Sequence, residues 1–174
     1  GPLISDRQRD RVERFVHSGI QQGAKVACGG KRPKGKAVEK GFFYEPTILT
    51  HVQQQMRVCQ EEIFGPVISV LTYKKVDDAI EKANDVSYGL AASVWGAHIS
   101  QCLKVAYRLK FGTVWINEHG VLTSETPHGG FKQSGFGKDL SIYAFEEYTQ
   151  LKHVYVDLTD MKRKPWHYTV YGEP

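Results

Sequence analysis

The sequence predicts an α/β fold, with a parallel-type sheet joined by crossover helices. Three observations carry that expectation. Apolar stripes at helical spacing alternate with short β-branched and aromatic runs along most of the 174 residues. Glycine follows the first and third stripes, as Gly23 and Gly112. The spacing of strand, helix, strand, helix, strand is that of parallel strands linked by crossovers. The length suits one domain or slightly more, enough to bury a core.

The elements follow in order. Ser5 with Gln8 makes a capping box, and Val12, Phe15, Val16 and Ile20 recur at helical spacing, so a helix spans Asp6–Gln21 and Gly23 ends it. Lys25–Cys28 reads as a short strand closed by Gly29-Gly30, and 31–41 as a Gly- and Lys-rich loop. Residues 42–50 and 67–73 read as strands from their β-branched and aromatic content. Val76, Ala79, Ile80 and Ala83 mark a second helix, 91–95 a strand, and Ile99, Cys102, Leu103 and Ala106 a third helix. TVWIN (113–117) is strand again. The next stretch, EHGVLTSETPHGGFKQSGFGK (118–138), has five glycines, one proline and no period. A structureless run of that length inside a compact domain is usually functional. Beyond it, Ser141 caps a short helix reaching Tyr148. LKHVYVDL (151–158) then alternates strictly, as a strand that must find a sheet to join.

Composition excludes several classes. Hydrophobic content of 41%, charged content of 24% and a net charge of +4 are ordinary for a globular protein. The runs KRPKGK (31–36) and KRKP (162–165) read as solvated loop and tail, and no basic face with interleaved aromatics points to nucleic acid. No apolar run reaches the length of a membrane span, and no signal-peptide pattern is present. Cys28, Cys59 and Cys102 are odd in number and widely spaced, which fits a reducing, cytoplasmic setting; Cys28 and Cys102 read as buried small hydrophobes. Without CxxC or HExxH, no metal is expected. A phosphate-loop reading of Gly130 and Gly135 fails, because Phe136 and Gly137 stand where Lys and Ser or Thr belong.

The stretch EEIFGPVISVL (61–71) sets Glu61 and Glu62 beside Phe64 and Gly65-Pro66 at the mouth of a strand. Residue chemistry alone leaves two readings, acids that cap a solvent-facing strand end or acids that hold a polar ligand. With ANDVSYGLAASVW, GTVWIN, GGFKQSGFGKD and EYTQLKHVYVDL in order, and GPLIS and GFFYEPTIL before them, the chain resembles the C-terminal part of NAD(P)-dependent aldehyde dehydrogenases, from residue 1 to about 159.

The resemblance implies a division of labour. In that family a cysteine attacks the aldehyde, the thiohemiacetal gives hydride to the nicotinamide, and glutamate-activated water releases the acid. Those groups, the oxyanion-hole asparagine and most of the Rossmann-like domain belong N-terminal to GPLIS, so no catalytic residue is assigned to this chain. By the same resemblance, 1–133 is the C-terminal part of the catalytic domain, 134–149 a connecting loop and helix, 150–160 an oligomerisation strand and 161–174 a tail. The cofactor implied is NAD, with NADP possible. Glu62 would accept bonds from the nicotinamide ribose hydroxyls, as an acceptor-only carboxylate can. Phe64 would pack near the nicotinamide, and Gly65-Pro66 would fix the turn. The loop after WIN would wall the aldehyde funnel, with Glu118, Leu122, Glu125 and His128. SETPHGGFKQSGFGKDLS (124–141) resembles aminoaldehyde dehydrogenases of the γ-aminobutyraldehyde type, and a cationic substrate would meet Glu118, Glu125 or the rings of Trp115 and His119. Betaine aldehyde or general aliphatic aldehydes are the other substrates to weigh. A truncated, non-enzymatic partner protein is the alternative of another class. The closing strand would make a homo-oligomer by joining a neighbour's sheet.

Overall fold

A computed structural model describes residues 1–173. Ser5 is extended and its hydroxyl accepts from the Gln8 amide at 3.2 Å, starting helix α1 (Asp6–Gln21) at the residue its cap requires. The expected return bond from the Gln8 side chain does not form; that amide reaches elsewhere, as described below. Gly23, at φ 105°, turns the chain into β1 (Lys25–Cys28). β2 (Thr47–Thr50) runs antiparallel to β1, and β3 (Val67–Ser69) runs parallel to β2. The sheet is therefore mixed rather than parallel throughout. Residues 29–46 contain no crossover helix, so the chain comes back against β1 instead of alongside it.

Both strands around α2 (Arg57–Gln60) are shorter than their composition implies. Pro46 has no N–H to offer a ladder, so β2 begins at Thr47, whose amide donates to the Pro66 carbonyl at 2.8 Å. The β3 ladder ends as Val70 donates to Leu49 at 2.9 Å. The apolar face of α1, Val12, Phe15 and Val16, closes over Leu49, Met56, Val58 and Ile63 to form the main core. Part of the KRPKGK run is not free loop: Arg32 Nη2 bridges Asp10 at 2.9 Å and Glu13 at 2.5 Å on α1.

The second half repeats the theme more openly. Helix α3 (Val76–Asn84) leads to β4 (Tyr88–Gly89) and β5 (Ala91–Val94), then α4 (Ile99–Ala106) and β6 (Thr113–Ile116). β5 and β6 pair in parallel from Ala91↔Thr113 to Val94↔Ile116, the expected crossover unit around α4. β4 pairs antiparallel with β7 (Phe131–Lys132), a two-residue strand inside the stretch read as structureless. Among the described residues of this half, only Ile80 and Cys102 are buried hydrophobics. Cys28, read as buried, is exposed because β1 is an outer strand.

Helix α5 (Ser141–Glu147) starts from Leu140, with Leu140 and Ser141 both left-handed at φ 65° and 60°, so Ser141 is not its cap. Residues 151–158 are exposed and form neither helix nor strand; among the described residues they pair with no sheet. The tail, read as solvated, contains α6 (Pro165–Tyr171), with Pro165 in its first turn and Lys164 paired to Asp157. No helix among the described residues is long and apolar enough to cross a membrane, and no group of three His, Cys, Asp or Glu side chains could hold a metal.

Candidate functional site

Two adjacent acids have opposite surroundings. Glu61 lies one turn after Arg57, which grips its carboxylate through Nε at 2.7 Å and Nη2 at 3.0 Å. That bond holds the Glu61 carboxyl below its ordinary pKa. The Glu62 carboxylate is exposed and has no hydrogen-bond or ion-pair partner among the described residues. Its backbone, by contrast, is fixed: the Glu62 carbonyl accepts from Arg11 Nη2 at 2.7 Å. The next two carbonyls, of Ile63 and Phe64, accept from Gln8 Nε2 at 3.2 and 2.8 Å. Two residues of α1, three positions apart and on one face, hold three consecutive carbonyls of the loop.

The loop's shape follows from sterics. Ile63 is buried in the core, and Phe64 turns left-handed at φ 55°, which leaves its ring 72% exposed beside Glu62. The turn thus belongs to Phe64, not to Gly65-Pro66. Gly65 serves a different need, since a Cβ there would overlap the Val12 side chain of α1. Next to the loop lies a cleft lined by Arg7, Gln8, Arg11, Arg14 and Arg57, with Phe15 beneath the Arg57 guanidinium at 4.3 Å. An acceptor carboxylate beside a cationic cleft suits a ligand with both hydroxyls and negative charge. Gln8 and Arg11 were missed in the sequence because Gln8 matched a helix-capping signature. Arg11, one turn further along the same face, was the available signal.

The other candidates sit on the 118–128 loop, which leaves β6 at Asn117. Asn117 is left-handed at φ 55°, and its amide exchanges two hydrogen bonds with the Gly96 backbone, at 2.8 and 3.0 Å. Trp115 Nε1 donates to the Val121 carbonyl at 2.8 Å, with the His119 ring at its edge, 5.0 Å between centroids. His128 is drawn inward: its Nδ1 lies 3.0 Å from the Thr113 hydroxyl, and its backbone pairs both ways with Asp139. Glu118 and Glu125 are exposed, each carboxylate accepting a single local bond, from the His119 amide and the Ser124 hydroxyl. Leu122 points outward, 49% exposed. No hydrogen bond or ion pair among the described residues joins this loop to 61–66.

The three cysteines are free and differ in surroundings. Cys102 is buried, burial pushes the Cys59 thiol above its ordinary pKa, and the exposed Cys28 places its thiol 3.7 Å from the Pro46 carbonyl. A family model described as the aldehyde dehydrogenase family matches residues 1–154. The chain belongs to that family. A betaine aldehyde dehydrogenase of Bacillus subtilis (strain 168) is 51% identical over 155 residues, covering 89% of this chain and 32% of that protein. A betaine aldehyde dehydrogenase of Brucella anthropi is 46% identical over 158 residues, again covering 32% of that protein. Among solved structures, an aldehyde dehydrogenase of Mycobacterium tuberculosis complexed with NAD+ superposes with a TM-score of 0.87 at 41% identity, over 92% of this chain and 33% of that one. A betaine aldehyde dehydrogenase of Staphylococcus aureus, also with NAD+, gives 0.87 at 40% identity, over 94% of this chain and 33% of that one. The chain spans about a third of the length of the relatives it matches.

Proposed function

We propose that the protein carrying this chain is an NAD-dependent aldehyde dehydrogenase, to which these residues contribute a ribose-binding carboxylate and one wall of the aldehyde channel. The observation that carries the proposal is Glu62, whose carboxylate is exposed and unpaired while the carbonyls of 62–64 are all anchored to α1. The residues fit a dinucleotide. Glu62 can accept both ribose hydroxyls, the exposed Phe64 ring offers a flat face beside it, and the arginine cleft suits negative charge. Bound NAD supplies the hydride acceptor. The chain's own part is to orient: Gln8 and Arg11 hold the loop so that Glu62 and Phe64 need not reorganise on binding.

The attacking cysteine and the general-base glutamate lie, on this proposal, outside these 174 residues, so the chain by itself does not turn over aldehydes. The substrate is a cationic aldehyde, with 4-aminobutanal first and betaine aldehyde second. The exposed Glu118 and Glu125 carboxylates favour a cation, and the relatives' names favour betaine aldehyde. Residues 150–160 complete a sheet of a second copy, giving a homo-oligomer, and the free, dispersed cysteines fit the cytoplasm. The test is NADH formation by the whole purified protein with 4-aminobutanal, betaine aldehyde and propanal, NAD against NADP. Absence of reduced cofactor with every aldehyde would sink the proposal.

A further inference from the structure

We infer that Thr113 and Trp115 are positioning residues that set aldehyde selectivity by clamping the 118–128 loop at two points, an inference that rests on that loop being the channel wall proposed above. Thr113 and Trp115 are two apart on β6, so their side chains leave the same side of the strand. The first engages the far end of the loop, His128 Nδ1 at 3.0 Å; the second engages the near end, the Val121 carbonyl at 2.8 Å. Neither partner is held there by a neighbour in sequence, so the strand folds the loop back on itself. The far clamp is doubled by the backbone, where His128 and Asp139 exchange bonds of 2.9 and 2.7 Å.

What lies between the clamps is the exposed segment 122–127, which carries Leu122 and Glu125 and closes its own turn, Thr126 amide to Thr123 carbonyl at 3.2 Å. The clamps themselves are more buried than the segment they hold. Shape is thus set from beneath by residues that need not touch the aldehyde. His128, expected on the pocket surface, is one of the anchors. Loosening one end, the near end at Val121 or the His128 ring that the backbone pair leaves unheld, shifts 122–127. Discrimination between a long cationic aldehyde and a short neutral one depends on its placement.

The experiment uses the whole enzyme and the ratio of kcat/KM for 4-aminobutanal over propanal. Trp115→Phe keeps a ring and removes the N–H; Thr113→Val keeps the shape and removes the hydroxyl. Each should lower the ratio at least about fivefold, chiefly through KM for 4-aminobutanal, as expected for loss of one hydrogen bond. Thr113→Ser restores the hydroxyl and should stay within about twofold of the parent ratio. Ratios unchanged in both removal variants would overturn the inference, as would equal losses on the two aldehydes or a Thr113→Ser variant that falls with Thr113→Val. Should Trp115→Phe fail to fold, the Thr113 pair decides alone. A parent enzyme that oxidises neither aldehyde fails the functional proposal instead, which keeps the two failures apart.

Discussion

Replacing Glu62 by Gln, with Glu61 by Gln beside it, separates a ligand-holding acid from a structural one. In the free chain the Glu62 carboxylate bonds to nothing among the described residues, so Glu62→Gln forfeits no internal contact and should leave the melting temperature where it was. On the proposed ribose role, its cost falls on hydride transfer more than on cofactor affinity. A charged acceptor gives way to a neutral one, roughly halving the strength of the ribose hydrogen bonds, a loss of about 1.4 kcal/mol or more. If that loss is expressed where the nicotinamide meets the thiohemiacetal, hydride transfer slows at least about tenfold. Affinity for NAD should fall much less, since the other cofactor contacts remain. Glu61→Gln breaks an exposed, solvent-screened i,i+4 pair with Arg57, so it should lower the melting temperature only slightly. Its hydride step should be unchanged. The assay is stopped-flow NADH formation with protiated and deuterated aldehyde; the isotope effect should grow for Glu62→Gln alone. Identical behaviour of the two variants, or an untouched rate and isotope effect at Glu62, would refute the ribose role.

Gly65→Ala should cost about 1–3 kcal/mol by overpacking against fully buried Val12, read by thermal melting, and Val12→Ala in the same chain should recover part of it. Tyr44 is buried, its hydroxyl has no hydrogen-bond partner among the described residues, and burial raises its pKa from 10.0 to about 12. A folded pKa above the unfolded one stabilises below pH 10.0 and loses that contribution as pH rises towards about 12, so alkaline unfolding should track tyrosinate absorbance. Tyr44→Phe should remove this step and match or exceed the parent's stability at neutral pH. Deleting 150–174 from the whole protein should yield monomers or aggregates; an unchanged oligomer by light scattering would rule out assembly through that segment.

What the sequence disclosed depended on how local each determinant was. Helix α1 was legible to the residue because its period is long and Ser5 marks its start. The parallel pairing of β5 and β6 followed from the helix between them. Strand ends were overextended wherever aromatic content continued past the ladder, as at Phe42–Phe43 before Pro46. β4 and β7 are two residues each, too short to show a period. The α6 helix did carry a signal, Pro165 ahead of an aromatic run, but the neighbouring charges masked it. At the site, EEIFGPV pointed to the loop and its resemblance to Glu62, yet nothing linear joins position 62 to Gln8 and Arg11, which lie 51 or more residues away in the chain. Likewise nothing linear pairs His128 with the Thr113 hydroxyl on β6.

The uneven distribution of buried side chains has a dynamic consequence. Nearly all the sealed apolar side chains belong to α1, β2 and their immediate neighbours, while the described residues beyond 70 bury only two hydrophobic side chains, Ile80 and Cys102. Opening free energies should therefore be graded along the chain. Amide protons around Val12, Val16 and Leu49 would exchange last, and those of 118–158 would exchange through fluctuations that leave the first unit intact. Glu62 is anchored to the slow unit, and the loop proposed as an aldehyde wall belongs to the fast one. On the proposed function, one part of the chain keeps its geometry through a turnover while the other adjusts to each substrate.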